Sequence, residues 1–157
     1  MAVLTKSTVV QAVFGNIYDR MVADVTSVTL SDATTSTIQT YTSSFPDKDF
    51  DTKSNYPICV IESPNLSWEP FTLTKKQVLG TFTVEIYTTK AESADLFLDA
   101  IMNSIETYRD TLGNTDKMTF VNLQSTDYFQ HMRGKMKVHM RSCTFGFRFQ
   151  FTKVAGT

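Results

Sequence analysis

The sequence predicts a single α+β domain that spans residues 1–157: a small antiparallel or mixed sheet of four strands, with two helices packed on one face. Two segments carry apolar residues at three- and four-residue spacings, the period of an amphipathic helix. Four other segments alternate in polarity or are short, continuous apolar runs, as strands are. The order along the chain is helix, long polar loop, strand, strand, helix, strand, strand. One sheet backed by helices is the most economical way to bury these apolar faces, and 157 residues are enough to enclose such a core.

The first helix is predicted over residues 7–25, with Thr8 and Gln11 as a capping box at its start. A long polar insertion, residues 26–55, follows it, and twelve of the nineteen residues from 26 to 44 are serine or threonine. Such a composition buries little surface, which favours a loop. A hairpin that pairs residues 27–30 with residues 37–41 is the alternative.

Two strands are predicted next. Residues 56–64 (YPICVIESP) lack alternation, which indicates a strand covered on both faces. Residues 77–89 (QVLGTFTVEIYTT) alternate and contain good strand formers, which indicates a half-buried strand. The intervening residues 65–76 (NLSWEPFTLTKK) are predicted to be a polar connection that carries Trp68 and Phe71.

The second helix has the clearest periodicity in the chain. A Thr-x-x-Glu capping box, Thr89 and Glu92, marks its start, and Gly113 is expected as its left-handed C-terminal cap. Its apolar stripe consists of Ala94, Phe97, Leu98, Ile101, Ile105, Tyr108 and Leu112. Residues 118–124 are predicted as the third strand, and residues 131–151 contain the fourth, with a turn near Gly134.

The last segment, HMRGKMKVHMRSCTFGFRFQF, changes its apolar face halfway along. Its first odd positions are basic side chains and its even ones mostly apolar, whereas the odd positions after Cys143 are phenylalanine. A β-bulge near Ser142 and Cys143 would restore one constant inward face. Alternatively, the strand extends beyond its own domain and its hairpin lays a methionine face on a neighbouring subunit, and we favour this second interpretation. The methionine face consists of Met132, Met136 and Met140.

Composition and motifs argue against several classes of function. The net charge is −1, so the whole molecule is not an electrostatic binder of nucleic acid. The sequence has no glycine-rich phosphate loop, G-x-S-x-G elbow or H-E-x-x-H motif, and we expect no enzyme, cofactor or metal site. Cys59 and Cys143 lie in apolar contexts and are expected to be reduced, buried thiols. With no signal peptide and no run of about 18 apolar residues, we expect assembly in the cytosol without a membrane.

The basic side chains of the last hairpin have three interpretations. They form a solvated face that blunts an exposed strand edge, they contact phosphates, or they meet an acidic surface of a neighbouring subunit. That acidic surface would be one face of the second helix, with Asp95, Asp99, Glu106 and Asp110. Trp68 and Phe71 either cover the domain's own core or anchor a contact, since aromatic residues are enriched at interface hot spots.

The order of elements and the strand-to-helix passage resemble the small tail-terminator, or tail-completion, proteins of long-tailed bacteriophages. The resemblance rests on a Tyr-Pro that opens a strand (YPICVIESP) and on VEIYTTK running directly into a helix that begins AESAD. It covers residues 56–151 and is a pattern of element order rather than a catalytic signature. The Ser/Thr-rich insertion departs from the plainest members of the family.

The resemblance implies a non-enzymatic virion protein, assembled in the host cytoplasm, that forms a homo-hexameric ring. The ring would cap the last ring of tail-tube protein, end tail polymerisation and offer a surface to a head-completion (neck) protein. DNA would pass through its bore without sequence-specific binding. A head-closure or other neck protein is the alternative, and a nucleic-acid-binding module is the second. The candidate residues of the subunit and tail-tube interfaces are Trp68, Phe71, Met132, Arg133, Lys135, Met136, Lys137, Met140 and Arg141.

Overall fold

The computed structural model of the chain describes residues 3–5, 7–44 and 51–152. The predicted α+β class is confirmed, but the predicted four strands and two helices are wrong. The described residues hold three α-helices, a six-stranded sheet and a two-stranded sheet. The helices are α1 (Val9–Asp24), α2 (Ala91–Thr107) and α3 (Arg109–Asn114). The strands are β1 (Ser27–Thr29), β2 (Thr35–Thr37), β3 (Thr40–Thr42), β4 (Ile58–Ile61), β5 (Asn65–Pro70), β6 (Lys75–Thr88), β7 (Thr119–Arg133) and β8 (Met136–Thr152).

Strand β6 is the centre of the larger sheet, whose order is β3-β4-β6-β8-β7. One edge of β6 pairs with β5 along its first half and with β4 along its second half. Its other edge pairs with β8 over fourteen residues, from Lys75 opposite Thr152 to Thr88 opposite His139. These pairings are antiparallel, whereas the short β3 runs parallel to β4. Strands β5 and β7 consequently lie at opposite edges of the sheet.

The three helices cover one face of this sheet. Because side chains alternate along a strand, Phe82 and Val84 of β6 and Phe145 and Phe147 of β8 all lie on this helix face and are buried. The stacked rings of the cross-strand partners Phe82 and Phe145 have centroids 5.3 Å apart. The helix side chains that meet this layer include Val13, Ile17, Met21, Phe97, Ile101, Ile105 and Leu112. The central strands thus carry the apolar surface that holds the helices.

A smaller apolar cluster lies on the opposite, helix-free face, near the β7–β8 turn. Its buried members are Tyr56, Ile58, Val60, Tyr87 and Val138, and Met136 and Met140 pack partly against them. This cluster explains why the last segment changes its apolar face. The half of β8 with the phenylalanines is covered by helices on one face, whereas the half with the methionines is covered on the other face.

The bulge alternative near Ser142 and Cys143, which we did not favour, is wrong. The register between β6 and β8 continues unbroken through both residues, so the odd positions of β8 lie on the helix face throughout. The irregularities are in β7 instead, between Thr119 and Asn122 and between Leu123 and Ser125. The methionine face is at least partly covered by its own chain, because Met136 and Met140 are half-buried.

The polar insertion contains regular structure, so the loop interpretation is wrong for residues 27–42 and the hairpin alternative is closer. Strands β1 and β2 pair from Ser27 opposite Thr37 to Thr29 opposite Thr35, and β3 then joins the main sheet. Residues 45–50 of the insertion lie outside the described residues, and Lys53–Asn55 form a short 3-10 helix. Residues 65–70, predicted as part of a polar connection, form β5.

The three predicted helix caps are also wrong. Thr8 and Lys90 occupy the N-cap positions of α1 and α2, and neither makes a side-chain capping bond. Glu92 instead accepts hydrogen bonds from the Ser31 backbone N–H at 2.7 Å and from Ser31 Oγ at 3.0 Å, which ties the β1–β2 hairpin to α2. Gly113 lies inside α3 and does not cap α2, which ends at Thr107.

A packing prediction follows from Gly80 in β6. The ring of Phe147 occupies the position that a Cβ atom would take there, and Leu66 Cδ2 lies 3.0 Å from that position. We expect Gly80→Ala to lower the free energy of unfolding by about 1–3 kcal/mol, the usual cost of overpacking, in urea denaturation.

Gly15→Ala is the matched control. Nothing lies within 4 Å of the Cβ position at Gly15, which is inside α1. Alanine there should stabilise the protein by roughly 0.5–1 kcal/mol because the helix interior disfavours glycine. Equal stability of the two variants would contradict this account of the Phe147 packing.

Candidate assembly surface

Strand β7 is exposed over most of its length. Every residue from Asn122 to Gln130 is exposed, on both faces. Within the described part of the chain, β7 pairs with β8 alone, so its outer edge offers unpaired backbone groups. This strand lies largely outside the hydrophobic core that the helices cover.

The exposed large apolar side chains concentrate at the two edges of the sheet. The β7 patch consists of Phe120, Leu123, Phe129 and Met132, which are 45–70% exposed, and the β5 patch consists of Trp68, Phe71 and Leu73, which are 50–96% exposed. The strand order β5-β6-β8-β7 separates the two edges by three inter-strand steps, about 14 Å. The two patches are therefore distinct surfaces.

Phe120 is held in a strained conformation at the first irregularity of β7. Its φ is +54°, in the left-handed region that costs an L-residue roughly 1–2 kcal/mol. The ring is 70% exposed, and the Arg148 guanidinium lies 5.2 Å from its centroid. Burial within the same chain does not offset the strain, and strained residues of this kind concentrate at functional sites.

The β7–β8 turn separates the basic side chains that were predicted to form one row. Gly134, with φ +61°, begins a two-residue loop that places Arg133 opposite Met136 and Met132 opposite Lys137. Because cross-strand partners share a face, Arg133 lies on the helix-free face and Lys137 on the helix face. The prediction of a single basic face, and of one methionine face that includes Met132, is wrong.

Arg141 uses the acidic face of α2 within its own chain. Its Nε lies 2.7 Å from Asp95 Oδ1, and its guanidinium carbon is 4.7 Å from the centre of the Tyr128 ring. The Tyr128 hydroxyl in turn lies 2.7 Å from His139 Nδ1, and burial, followed by the nearby Lys137 charge, lowers the pKa of His139. This network fixes β7 and β8 against α2, and Arg141 and Asp95 pair within one chain.

The structure brings Trp68 and Phe71 together at one edge and places Met132 at the other. Trp68 is half-exposed and packs edge-to-face on Phe151 with ring centroids 5.7 Å apart. Lys135 and Lys137 are exposed, whereas Arg133, Met136 and Met140 are half-buried. The members of the two patches that the sequence analysis missed are Leu73, Phe120, Leu123 and Phe129. The members on β7 could have been recognised from the scarcity of charged side chains in that strand. Among residues 119–132, Asp127 is the sole acidic or basic residue apart from His131.

Features of a chemical site are sparse in the described residues. No group of three His, Cys, Asp or Glu side chains there is placed to hold a metal ion, and no helix there is long and apolar enough to cross a membrane. Cys59 and Cys143 are buried free thiols, as predicted, and burial raises the pKa of both to about 12. They are protonated at neutral pH and unsuited to nucleophilic attack.

Comparison with known proteins adds no family to this description. Neither a scan against models of protein families nor a search of curated proteins found a match.

A first prediction concerns the strain at Phe120. In Phe120→Gly the left-handed conformation no longer costs free energy, so the protomer should be as stable as wild type or more stable by up to about 1 kcal/mol in urea denaturation. Leu123→Gly, at an exposed position of the same strand without a positive φ, should lose roughly 0.5–1 kcal/mol. An equal loss in both variants would show that Phe120 is not strained.

A second prediction concerns Glu85 on the helix-free face. Burial raises the pKa of its carboxyl and the neighbouring Glu62 raises it further, although the Tyr87 hydroxyl, 2.7 Å from Glu85 Oε2, opposes the shift. The folded protein therefore binds this proton more tightly than the unfolded chain, so stability is lost as pH rises from the unfolded-state pKa of about 4.3 through the raised value.

We therefore expect Glu85→Gln to raise the melting temperature at pH 7 and to have a smaller effect at pH 4. Asp99→Asn, at an exposed position of α2, is the control and should show no such pH dependence. A Glu85→Gln variant that is less stable than wild type at pH 7 and equal to it at pH 4 would contradict the sign of the shift.

Proposed function

We propose that the chain is a structural virion protein that forms a ring on the head-proximal end of a phage tail tube. The ring ends tube polymerisation and offers a surface for head attachment. The observation that carries the proposal is the placement of two dissimilar apolar patches at opposite edges of one sheet. A closed ring of more than two copies needs a heterologous interface, in which one patch of each copy meets a different patch of the next. The β7 patch and the β5 patch meet this requirement.

The resemblance to tail-terminator proteins supplies what the patches alone do not. It contributes the copy number of six, the tail-tube and neck partners, and the passage of DNA through the bore. The exposed apolar side chains at both edges support an assembling protein of this class, because apolar surface left in water favours association.

A nucleic-acid-binding module is less well supported than a ring. Its basic row is divided between the two faces of the sheet by the Gly134 turn, and Arg141 is engaged by Asp95. Aromatic side chains that stack on bases normally accompany a basic groove, whereas the Tyr128 ring is covered by the Arg141 guanidinium.

Tails assembled without this protein test the proposal against its nearest alternative. A terminator predicts tube polymers that exceed the normal length in electron micrographs. Tails of normal length with heads that leak DNA would instead assign the protein to head closure, and a salt-sensitive DNA complex of the monomer would overturn the ring altogether.

A mixing experiment tests the heterologous geometry. Trp68→Glu disables the β5 patch and Phe129→Glu disables the β7 patch, and both side chains are at least half-exposed, so the protomers should keep their melting temperatures. Each variant alone should be monomeric, because every interface in the ring needs one patch of each kind. An equimolar mixture should form a 1:1 dimer, because one intact interface remains.

Light scattering or native mass spectrometry gives the readout. A dimer formed by Trp68→Glu alone would indicate an isologous contact between two β7 patches and would contradict the heterologous ring. Wild-type mass measured in parallel gives the copy number, which we expect to be six.

A further inference from the structure

We infer that neighbouring copies join by strand pairing: the outer edge of β7 adds antiparallel to the outer edge of β5 of a second copy, so that the sheet continues from one copy to the next. This inference rests on the ring of the proposed function and names the surfaces that close it. Strand pairing adds backbone hydrogen bonds between copies, a contact that exposed apolar side chains alone would not need.

The outer edge of β7 is unprotected along its regular stretch. Proteins blunt a long exposed edge with lysine, proline or inward-pointing charge. Strand β7 has no proline, and Asp127 is the sole acidic side chain in it. Its two irregularities end at Ser125, so the nine residues from Ser125 to Arg133 keep a regular register with β8. A second strand could add along this regular stretch without further distortion.

The β5 edge, on the other side of the sheet, also has backbone available for pairing. Strand β5 pairs with β6, and no other described strand pairs with it. Pro64 and Pro70 bound the five residues from Asn65 to Glu69. Because proline cannot donate to a strand ladder, these five residues set the length of backbone available for pairing. They are exposed apart from Leu66.

The directions of the two edge strands suit antiparallel pairing between copies. Each neighbour in the order β5-β6-β8-β7 is antiparallel to the next, so β5 and β7 run in opposite directions. A rotation axis inclined to the strands, as in a barrel, keeps these directions and brings β7 of one copy antiparallel to β5 of the next. The inclination is needed because Asn65–Glu69 are level with Gly146–Gln150 of β8, whereas Ser125–Arg133 are level with Met136–Thr144. The alternation then continues without a break around a cyclic assembly, and the two faces of each sheet continue into the same faces of its neighbour.

The side chains on the two edges match in this arrangement. Trp68 is the cross-strand partner of Val78 and therefore lies on the helix face. Leu123 is opposite Phe145 and Met132 is opposite Lys137, so both lie on that face too. A β5 strand placed beside β7 puts the Trp68 ring on this same face, and the register decides which of the two side chains, roughly 30 Å apart along the strand, it meets. A two-fold β7–β7 pair would cover the β7 patch and leave the β5 patch of both copies in water. We therefore assign β5 of a second copy, rather than a second β7, as the strand that pairs with the β7 edge.

Disulfide trapping tests the pairing, since cysteines on adjacent strands have the Cα separations of 4.4–6.8 Å that a disulfide needs. Ser67→Cys is combined, in one chain, with a cysteine at each position from 122 to 130 in turn. The native Cys59 and Cys143 are buried and should not take part. In the assembled protein, mild oxidation of at least one double variant should give a ladder of covalently linked copies on a non-reducing gel. Each single variant should remain a monomer on the same gel.

Amide hydrogen exchange gives an independent readout that needs no particular register. On assembly, backbone amides between Ser125 and Gln130 should exchange at least about tenfold more slowly, whereas those of the β1–β2 hairpin should not change. Covalent dimers of a single β7 cysteine variant, or the absence of a ladder at all nine positions, would overturn the inference.

The outcomes separate this inference from the proposed function. Rings in light scattering without a ladder and without slower exchange in β7 would refute strand pairing and leave the ring intact. A protein that stays monomeric both alone and with tail tubes would refute both.

Discussion

The unbroken ladder between β6 and β8 is the constraint on which the rest of the molecule depends. Its fourteen consecutive pairs fix which side chains of both strands face the helices, because a slip of one residue would exchange the two faces. The phenylalanines of β8 are thereby buried under α1–α3, and the methionines lie on the helix-free cluster. The same two strands separate β5 from β7 and make them the opposite edges of one sheet.

The regular parts of this architecture could be predicted from the sequence. The alternation around Phe82 and Val84 and the stripe of α2 reflect burial on one face, which sequence periodicity reports directly. The strand at Ile58–Ile61 is fully buried, as its continuous apolar run predicts. The α+β class follows from these elements alone.

The edges could not be predicted in the same way, for physical reasons. Strand β5 is exposed and flanked by prolines, so it carries no burial signal and resembles a loop. In β7 two bulges each shift the alternation by one residue. The sequence pattern therefore does not show which β7 residues share a face, or that some of them form the β7 patch. Glu92 looks like a capping residue, but Ser31, distant in sequence, uses its carboxylate instead. At each of these positions the structure depends on contacts with residues distant in sequence, which local patterns do not report.

The described part of the Ser/Thr-rich insertion leaves both edges open. Its hairpin is held on the start of α2 by Glu92 and by a 2.9 Å hydrogen bond between Ser36 and Ser93, and β3 adds beside β4 rather than beside β5. Exposed strand edges and exposed apolar side chains both favour association. A closed ring joined through the β5 and β7 edges would pair both of them at once.

An image of the assembled protein on a tail tube, at a resolution that separates strands, tests the central claim most directly. The account predicts a closed ring at the end of the tube, in which β7 of each copy lies about 4.8 Å from β5 of the next and antiparallel to it. A tube end without this protein, or a ring whose copies meet through the helices while both sheet edges remain in solvent, would contradict it.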